Sequence, residues 1–289
     1  MTKKEFAEEL KLRLVGEVEQ DTRISVVEVP KNNGVVMVGL SFIKSDSSVS
    51  PTIYVEPYYK AFNTGMKMET IVANIFNIYE DAKTVKSVDT GFLHEWDKVK
   101  EMVIFKMVNR DLNQGMLESV PHKDVLDLAM VFMVELSQIG GVFVINKTLF
   151  DLWEISIDQL EEVAIENTVK KYPYVLKSLS DMLADMVKED IPDNGWYVLS
   201  NENFEYGAAV LFYPDTLKQI ADKWDSDLYI IPDCVHQVLI CSDDVIGENV
   251  AECRETLVRM NEEELASDEV LSGNIYKYDR AEDQLGIVK

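Results

Sequence analysis

A chain of 289 residues with 47% hydrophobic content is long enough to bury a large core, in one large domain or two packed lobes, and this excludes a disordered protein. Its formal net charge of −24 disfavours direct nucleic-acid binding, because phosphate contacts need clustered Lys and Arg. The charge is also lopsided: residues 1–150 carry 21 acids against 17 bases, and residues 151–289 carry 31 against 11. A field of one sign therefore belongs to the second half and selects basic partners.

The opening stretch, residues 1–11, is charged on every turn and lacks the apolar core of a secretory signal. The longest clean apolar run, residues 128–134, falls far short of the ~20 residues that cross a bilayer. Cys234, Cys241 and Cys253 are few, odd in number and late in the chain, which fits reduced thiols rather than a disulfide framework. Together these features predict a cytoplasmic protein with no membrane association.

In chain order, the spacing of Phe6, Leu10, Leu14 and Val15 predicts a helix over 3–19 with one buried face. Residues 22–29 and 35–43 read as strands around Asn33-Gly34, a β-hairpin. A third strand over 52–56 precedes a helix over 66–79, marked by Ile71, Ile75, Ile78 and Tyr79. Strands are predicted over 102–107 and 125–134, the second apolar on both faces and hence central. Gly140-Gly141 precedes a short strand over 142–145, and a helical stretch begins at 147. Ser156 followed by Gln159 is a capping-box pattern for a helix to about Lys171, where Tyr172-Pro173 stops it. A further helix covers 176–187.

Beyond Pro192, strands are predicted over 196–199 and 207–212, and Pro214 opens a helix carrying Leu217, Ile220, Ala221 and Trp224. Strands over 228–231 and 235–241 flank Pro232. A helix over 248–265 buries Val250, Cys253, Leu257 and Met260 and exposes Glu252, Glu255, Glu262 and Glu263. A strand over 275–278 closes the chain. Interspersed helices and strands predict an α/β or α+β fold, with helices packed on mixed β-sheets in two closely associated lobes, 1–146 and 147–289.

Several segments carry a resemblance across nearly the whole chain. They are Pro51-Thr-Ile-Tyr-Val-Glu-Pro-Tyr-Tyr59, Asn109-Arg-Asp-Leu-Asn113 with Val120-Pro-His122 and Asp127-Leu-Ala129, Trp196-Tyr-Val-Leu-Ser-Asn201 with Gly207-Ala-Ala209, Tyr229-Ile-Ile-Pro-Asp-Cys-Val-His236, and Leu271-Ser-Gly-Asn-Ile-Tyr-Lys-Tyr-Asp279. In these the chain resembles an uncharacterised domain-of-unknown-function family of bacterial proteins, common in anaerobic gut Firmicutes. The resemblance implies one continuous family unit and brings no activity with it. Where the family pattern has two serines before the histidine and a glutamate after it, this chain has Asp233, Cys234 and Gln237, so no role resting on those family residues transfers.

Two constellations are candidates for chemistry. Cys234 and His236, two apart on an extended strand, project from one face, and an imidazole beside a thiol lowers its pKa toward thiolate. The bland reading is a half-buried strand with a small Cys and a satisfied His, because nucleophile and base usually come from different elements. His122 lies just before the buried strand and Asp127 enters it, where a carboxylate orients an imidazole for acid–base work; the bland reading has Asp127 tying down neighbouring backbone. No metal site is predicted, since Cys234, His236 and Cys241 lack a fourth ligand, and Lys98 stands where a zinc-protease motif begun at His94-Glu95 needs its second His. No phosphate-binding glycine loop is present and no cofactor is implied. Tyr54, Tyr58, Tyr59 and Phe62 around Lys60 are an aromatic cluster that packs a strand-to-helix turn.

The leading expectation is a non-catalytic binding or regulatory protein. Its contact surface for a basic protein partner is Asp243, Asp244, Glu252, Glu255, Glu262 and Glu263. The alternative is a thiol- or His/Asp-dependent hydrolase using Cys234 with His236, or His122 with Asp127. A cysteine alkylating well below the ordinary thiol range is the sign of the second class.

Overall fold

The computed structural model describes residues 1–44, 50–82, 91–136, 140–247 and 249–288. Contacts between residues divide the chain into two units, the first Met1–Phe92 and the second Leu93–Leu136 with Gly141–Lys289. Position 146, where the sequence reading divides the lobes, lies inside the second unit.

The first unit starts with a helix whose entry is fixed by Thr2 and Glu5. The Glu5 N–H donates to the Thr2 hydroxyl at 3.2 Å and the Thr2 N–H donates to the Glu5 carboxylate at 2.8 Å, so two orphan donors of helix α1 (Lys3–Leu14) are satisfied together. The helix ends ahead of Gly16, the weakest helix former in the predicted run, which explains why it is shorter than 3–19. Strands β1 (Thr22–Pro30) and β2 (Val36–Lys44) form the predicted hairpin, in register from Thr22↔Lys44 to Pro30↔Val36. Asn33 and Gly34 in its turn take φ of 58° and 69°, the left-handed conformation that Asn and Gly tolerate.

Strand β3 (Thr52–Tyr54) extends this antiparallel sheet along β2. Helices α2 (Glu56–Asn63) and α3 (Met68–Ala82) follow. Phe6, Leu10 and Leu14 of α1 meet Leu40 and Phe42 of β2 and Ile71, Ile75 and Tyr79 of α3 in one core. Phe42 and Tyr79 stack with centroids 4.5 Å apart, and the Tyr79 hydroxyl leaves the core to donate to Glu19 at 2.7 Å. Tyr58, Tyr59 and Phe62 of α2 pack against that core, so the aromatic cluster at this turn is packing.

The second unit holds two antiparallel sheets. After a single helical turn, α4 (Trp96–Val99), strand β4 (Val103–Asn109) is followed by another turn, α5 (Gln114–Leu117), then β5 (His122–Val125), β6 (Leu128–Leu136) and β7 (Gly141–Val144). Strand β6 pairs with β4 along one edge and with β5 and β7 along the other. Its residues are buried on both faces, which is the central position that its unbroken apolar run predicts. The run itself is not one strand from 125: Leu126 takes φ of 57° and turns the chain, so β5 and β6 form a tight hairpin.

Helices α6 (Lys147–Leu152) and α7 (Ile157–Lys171) come next. The Ser156–Gln159 capping box opens α7, and the helix ends at Lys171, ahead of Pro173, as predicted. Thr168 of α7 accepts from the Phe105 N–H at 3.2 Å, and the Asn167 amide donates to the Lys100 and Val103 carbonyls at 2.8 Å each. These bonds hold α7 on β4.

The remaining elements are β8 (Tyr174–Ser178), α8 (Leu179–Val187), β9 (Tyr197–Asn201), a short 3₁₀ helix at Gly207–Phe212, α9 (Thr216–Trp224), β10 (Leu228–Cys234), β11 (Gln237–Ser242), a helical turn α10 (Asp243–Ile246), α11 (Val250–Glu263), β12 (Tyr276–Asp279) and β13 (Gln284–Ile287). Six of them form a sheet in the order β13-β12-β10-β11-β9-β8. Where a helix is predicted over 176–187, Tyr174–Ser178 is strand and only 179–187 is helical, because Ser178 caps α8 by accepting from the Asp181 N–H. Residues 207–212, predicted as a strand, are 3₁₀, with Gly207 to Leu211 buried. The predicted start of the last helix, Glu248, lies outside the described residues. Of the two predicted classes, antiparallel sheets with helices packed on them correspond to α+β. Among the described residues no helix is long and apolar enough to cross a membrane.

Candidate functional site

Asp233 and Cys234 end β10, and the chain turns through Val235 and His236 before β11 begins at Gln237. The register slips between Ile231 and Cys234, as it must where Pro232 offers no N–H to the ladder. This corrects the premise that Cys234 and His236 share one face of a strand. Cys234 is 6% exposed and burial, with Asp233 beside it, pushes its thiol up to about 12. His236 is turned elsewhere: its Nδ1 accepts the Tyr206 N–H at 3.3 Å and its Nε2 lies 3.8 Å from Glu269. The Tyr206 ring stacks on the imidazole at 5.7 Å between centroids. The histidine is thus held by Tyr206 and Glu269, and the thiol sits in apolar surroundings that favour its neutral form.

Asp233 is the unusual group of this hairpin. It is 4% exposed and its Oδ1 has no hydrogen-bond partner, and burial raises its carboxyl from the usual range to about 6. Because the folded value lies above the unfolded one, protonated Asp233 favours the fold. This contribution is complete below the ordinary carboxylate range and is lost as pH rises through about 6. Asp233→Asn should therefore stabilise the chain at neutral pH by about 3 kcal/mol, with the gain vanishing near pH ~4. Thermal melts of both chains across that range check it; a gain that persists in acid would contradict it.

His122 and Asp127 do not meet. His122 opens β5, where its Nδ1 sits 3.1 Å from the Val120 carbonyl and its Nε2 3.7 Å from Asp124, so its carboxylate neighbour is Asp124. Asp127 lies in the β5–β6 turn, and its carboxylate is filled. Ser272 donates to Oδ2 at 2.6 Å, Asn274 to Oδ2 at 2.8 Å, and Tyr276 to Oδ1 at 2.6 Å. Burial and this carboxylate push the Tyr276 phenol well above its ordinary range.

The same knot takes in the Asn109-Arg-Asp-Leu-Asn113 segment. Arg110 donates from its backbone N–H to the Asp127 carbonyl at 3.0 Å and from its guanidinium to the Leu126 carbonyl at 3.0 Å. Asn109 donates to the Leu271 carbonyl at 3.0 Å and accepts from the Leu112 N–H at 2.9 Å. Three segments that look like separate motifs in the sequence are one hydrogen-bonded junction tying the β4–β6 sheet to the loop at 271–275 and the first residue of β12.

The acidic residues stand apart from both places. Asp243 and Asp244 form the first turn of α10, and Glu252, Glu255, Glu262 and Glu263 lie on α11. All six are exposed. Ser242 donates to the Asp244 carboxylate, the Asp243 N–H donates to the Ser226 hydroxyl at 3.1 Å, and among the described residues none of the six forms an ion pair. The opposite face of α11 carries Leu257, fully buried, with Val250 and Cys253 packed against Ile231 and Ile275. Among the described residues no three His, Cys, Asp or Glu side chains converge to hold a metal ion.

A cavity of about 260 Å³ lies under α11, lined by Trp196 and by the β10–β11 pair Ile231 and Leu239. Sequence reasoning did not find it, because its walls come from α8, β10, β11, α11 and Trp196 ahead of β9, which lie far apart in the chain.

No curated protein and no solved structure matches the chain significantly. The profile of a family of unknown function, DUF5688, matches residues 3–280, which takes in both units and every segment that carries the junction at Asp127. The chain belongs to that family.

Proposed function

We propose that this chain is a non-catalytic binding or regulatory protein of the bacterial cytoplasm. Its contact surface for a basic protein partner is the acidic side of α10 and α11. The observation that supports this reading is that Asp243, Asp244, Glu252, Glu255, Glu262 and Glu263 are all exposed and without an ion pair among the described residues. Most acids elsewhere that hold structure do so by pairing, as Asp222 and Asp225 do with Arg280. Unpaired surface carboxylates on one side raise the local negative potential, steer cationic partners and set specificity more than affinity. The candidate reacting groups weigh the other way: a thiol raised to about 12 and a carboxylate saturated by three donors are poor nucleophile and base at neutral pH.

The test is affinity capture from an extract of the source cell at low and high salt, with the E252K/E255K/E262K chain as control. The captured partner should be basic, should elute as salt rises, and should be lost at least roughly tenfold in the control. The melting temperature of the control should stay close to that of the parent, since exposed substitutions away from structural contacts change stability by about 0.5 kcal/mol or less. A partner retained equally by both chains at high salt would sink the electrostatic reading.

A further inference from the structure

We infer that the acidic side of α11 and the cavity beneath it form one docking site for a basic segment of a partner protein, which seats a large apolar side chain in the cavity. This rests on the proposed binding function and adds a feature that function does not require, an apolar anchor. The cavity of about 260 Å³ has the β10–β11 pair Ile231 and Leu239 as its floor, and Trp196 and Leu179 beside it. Its roof is α11, whose Glu252, Cys253, Thr256, Leu257 and Met260 all line it. Those positions fall on one face at helical spacing, and only Leu257 among them is fully buried.

Glu252 belongs to both features: it lines the cavity and is the first of the exposed acids on α11. Glu263 is set close to it around the helix axis, and Arg259 is the exposed cation of the same helix. An apolar hollow with one carboxylate, Glu252, on its wall and further exposed acids along the same helix is complementary to an apolar side chain flanked by lysine or arginine. A second apolar feature runs on from the cavity. Leu179 starts a stripe on α8 at spacing four and seven through Leu183, Met186 and Val187, of which Met186 is 78% and Val187 56% exposed. Large apolar side chains aligned on one helix and left to water are what an amphipathic partner covers.

Cys253 provides the readout. It lines the cavity and is only partly buried, whereas Cys234 and Cys241 are buried, so alkylation of the full chain at mildly alkaline pH reports on the cavity with two internal references. Three fluorescent peptides of equal length serve as probes: lysine with leucine and tryptophan, lysine with alanine, and glutamate with leucine and tryptophan. The first should bind roughly tenfold more tightly than the second, the gain from burying one large apolar side chain, and should slow Cys253 alkylation by a similar factor. The second should bind in a salt-sensitive way without protecting Cys253, and the third should do neither.

Thr256→Trp, which fills the cavity from its roof, should erase the difference between the first two peptides and the protection while leaving the salt-sensitive binding; its alkylation at Cys234 and Cys241 reports whether it is folded. If the first two peptides bind alike and Cys253 stays reactive, the anchor is overturned and the acidic surface stands. If no lysine peptide binds at low salt, the acidic-surface reading falls with it. Protection by the glutamate peptide would make the site merely apolar and overturn its preference for a basic segment.

Discussion

Asp127→Ala should destabilise the chain by about 4 kcal/mol, the largest loss expected from any single polar side chain of the second unit. The carboxylate accepts from Ser272, Asn274 and Tyr276, and both hydroxyl donors belong to fully buried residues. Removing the acceptor takes from both buried hydroxyls the carboxylate their O–H groups donate to, and each such loss costs about 1–3 kcal/mol. Asp127→Asn offers no relief in proportion, because its amide presents a donor where Ser272 and Asn274, or Tyr276, already donate. Tyr276→Phe removes one donor but leaves the carboxylate its two bonds from Ser272 and Asn274, and should cost less, about 1.5 kcal/mol. In the double variant D127A/Y276F the losses should sum to less than their parts, as groups in direct contact do. Denaturant unfolding of the four chains measures this; a loss below about 1 kcal/mol for Asp127→Ala would mean that the junction is not closed as described.

Gly207→Ala should cost about 3 kcal/mol, at the upper end for one added methyl. A Cβ at this position would stand 2.0 Å from the Ser200 hydroxyl, 2.4 Å from the His236 carbonyl and 2.9 Å from the Asn201 nitrogen. Two of those atoms are main chain and cannot swing away. The third donates to the His236 carbonyl at 2.7 Å, so moving it breaks the bond that ties β9 to the turn after β10. A chain with Gly115→Ala, where no atom lies within 4 Å of the added Cβ, is the matched control and should melt near the parent. Equal melting of the two variants would contradict the close approach.

Side-chain periodicity carried most of the architecture. The hairpin at Asn33-Gly34, the central place of the strand read over 125–134, the capping box at Ser156 and the exposed acids of α11 were legible, because each is a local pattern with one structural solution; of the four residues read as the buried face of α11 only Leu257 is buried. What was not legible depended on residues distant in sequence. A left-handed Leu126 turns an apolar run into a hairpin, and nothing in its side chain announces it. Residues 207–212 are apolar like a strand, yet they are 3₁₀ because Gly207 must pass against Ser200 and His236.

The candidate sites divide in the same way. The exposed position of the acids on α11 followed from helical spacing. The separation of His122 from Asp127 did not, because the partners of Asp127 lie 145 to 149 positions away. Cys234 and His236 looked paired only while the chain was taken as straight. Pro232 and the turn that follows redirect them, and the lesson is that proximity in sequence says little about contact at the end of a strand.

The central claim is that exposed, unpaired carboxylates on α11 hold a basic protein. Its most direct test is the equilibrium affinity of the full chain for the protein it captures, measured at about 0.1 M and about 1 M salt, where the screening length falls from about 10 Å to about 3 Å. The E252K/E255K/E262K chain is measured alongside. Binding should weaken at least roughly tenfold between the two conditions and be nearly absent in the reversed chain. An affinity that is the same at both salts and in both chains would contradict it.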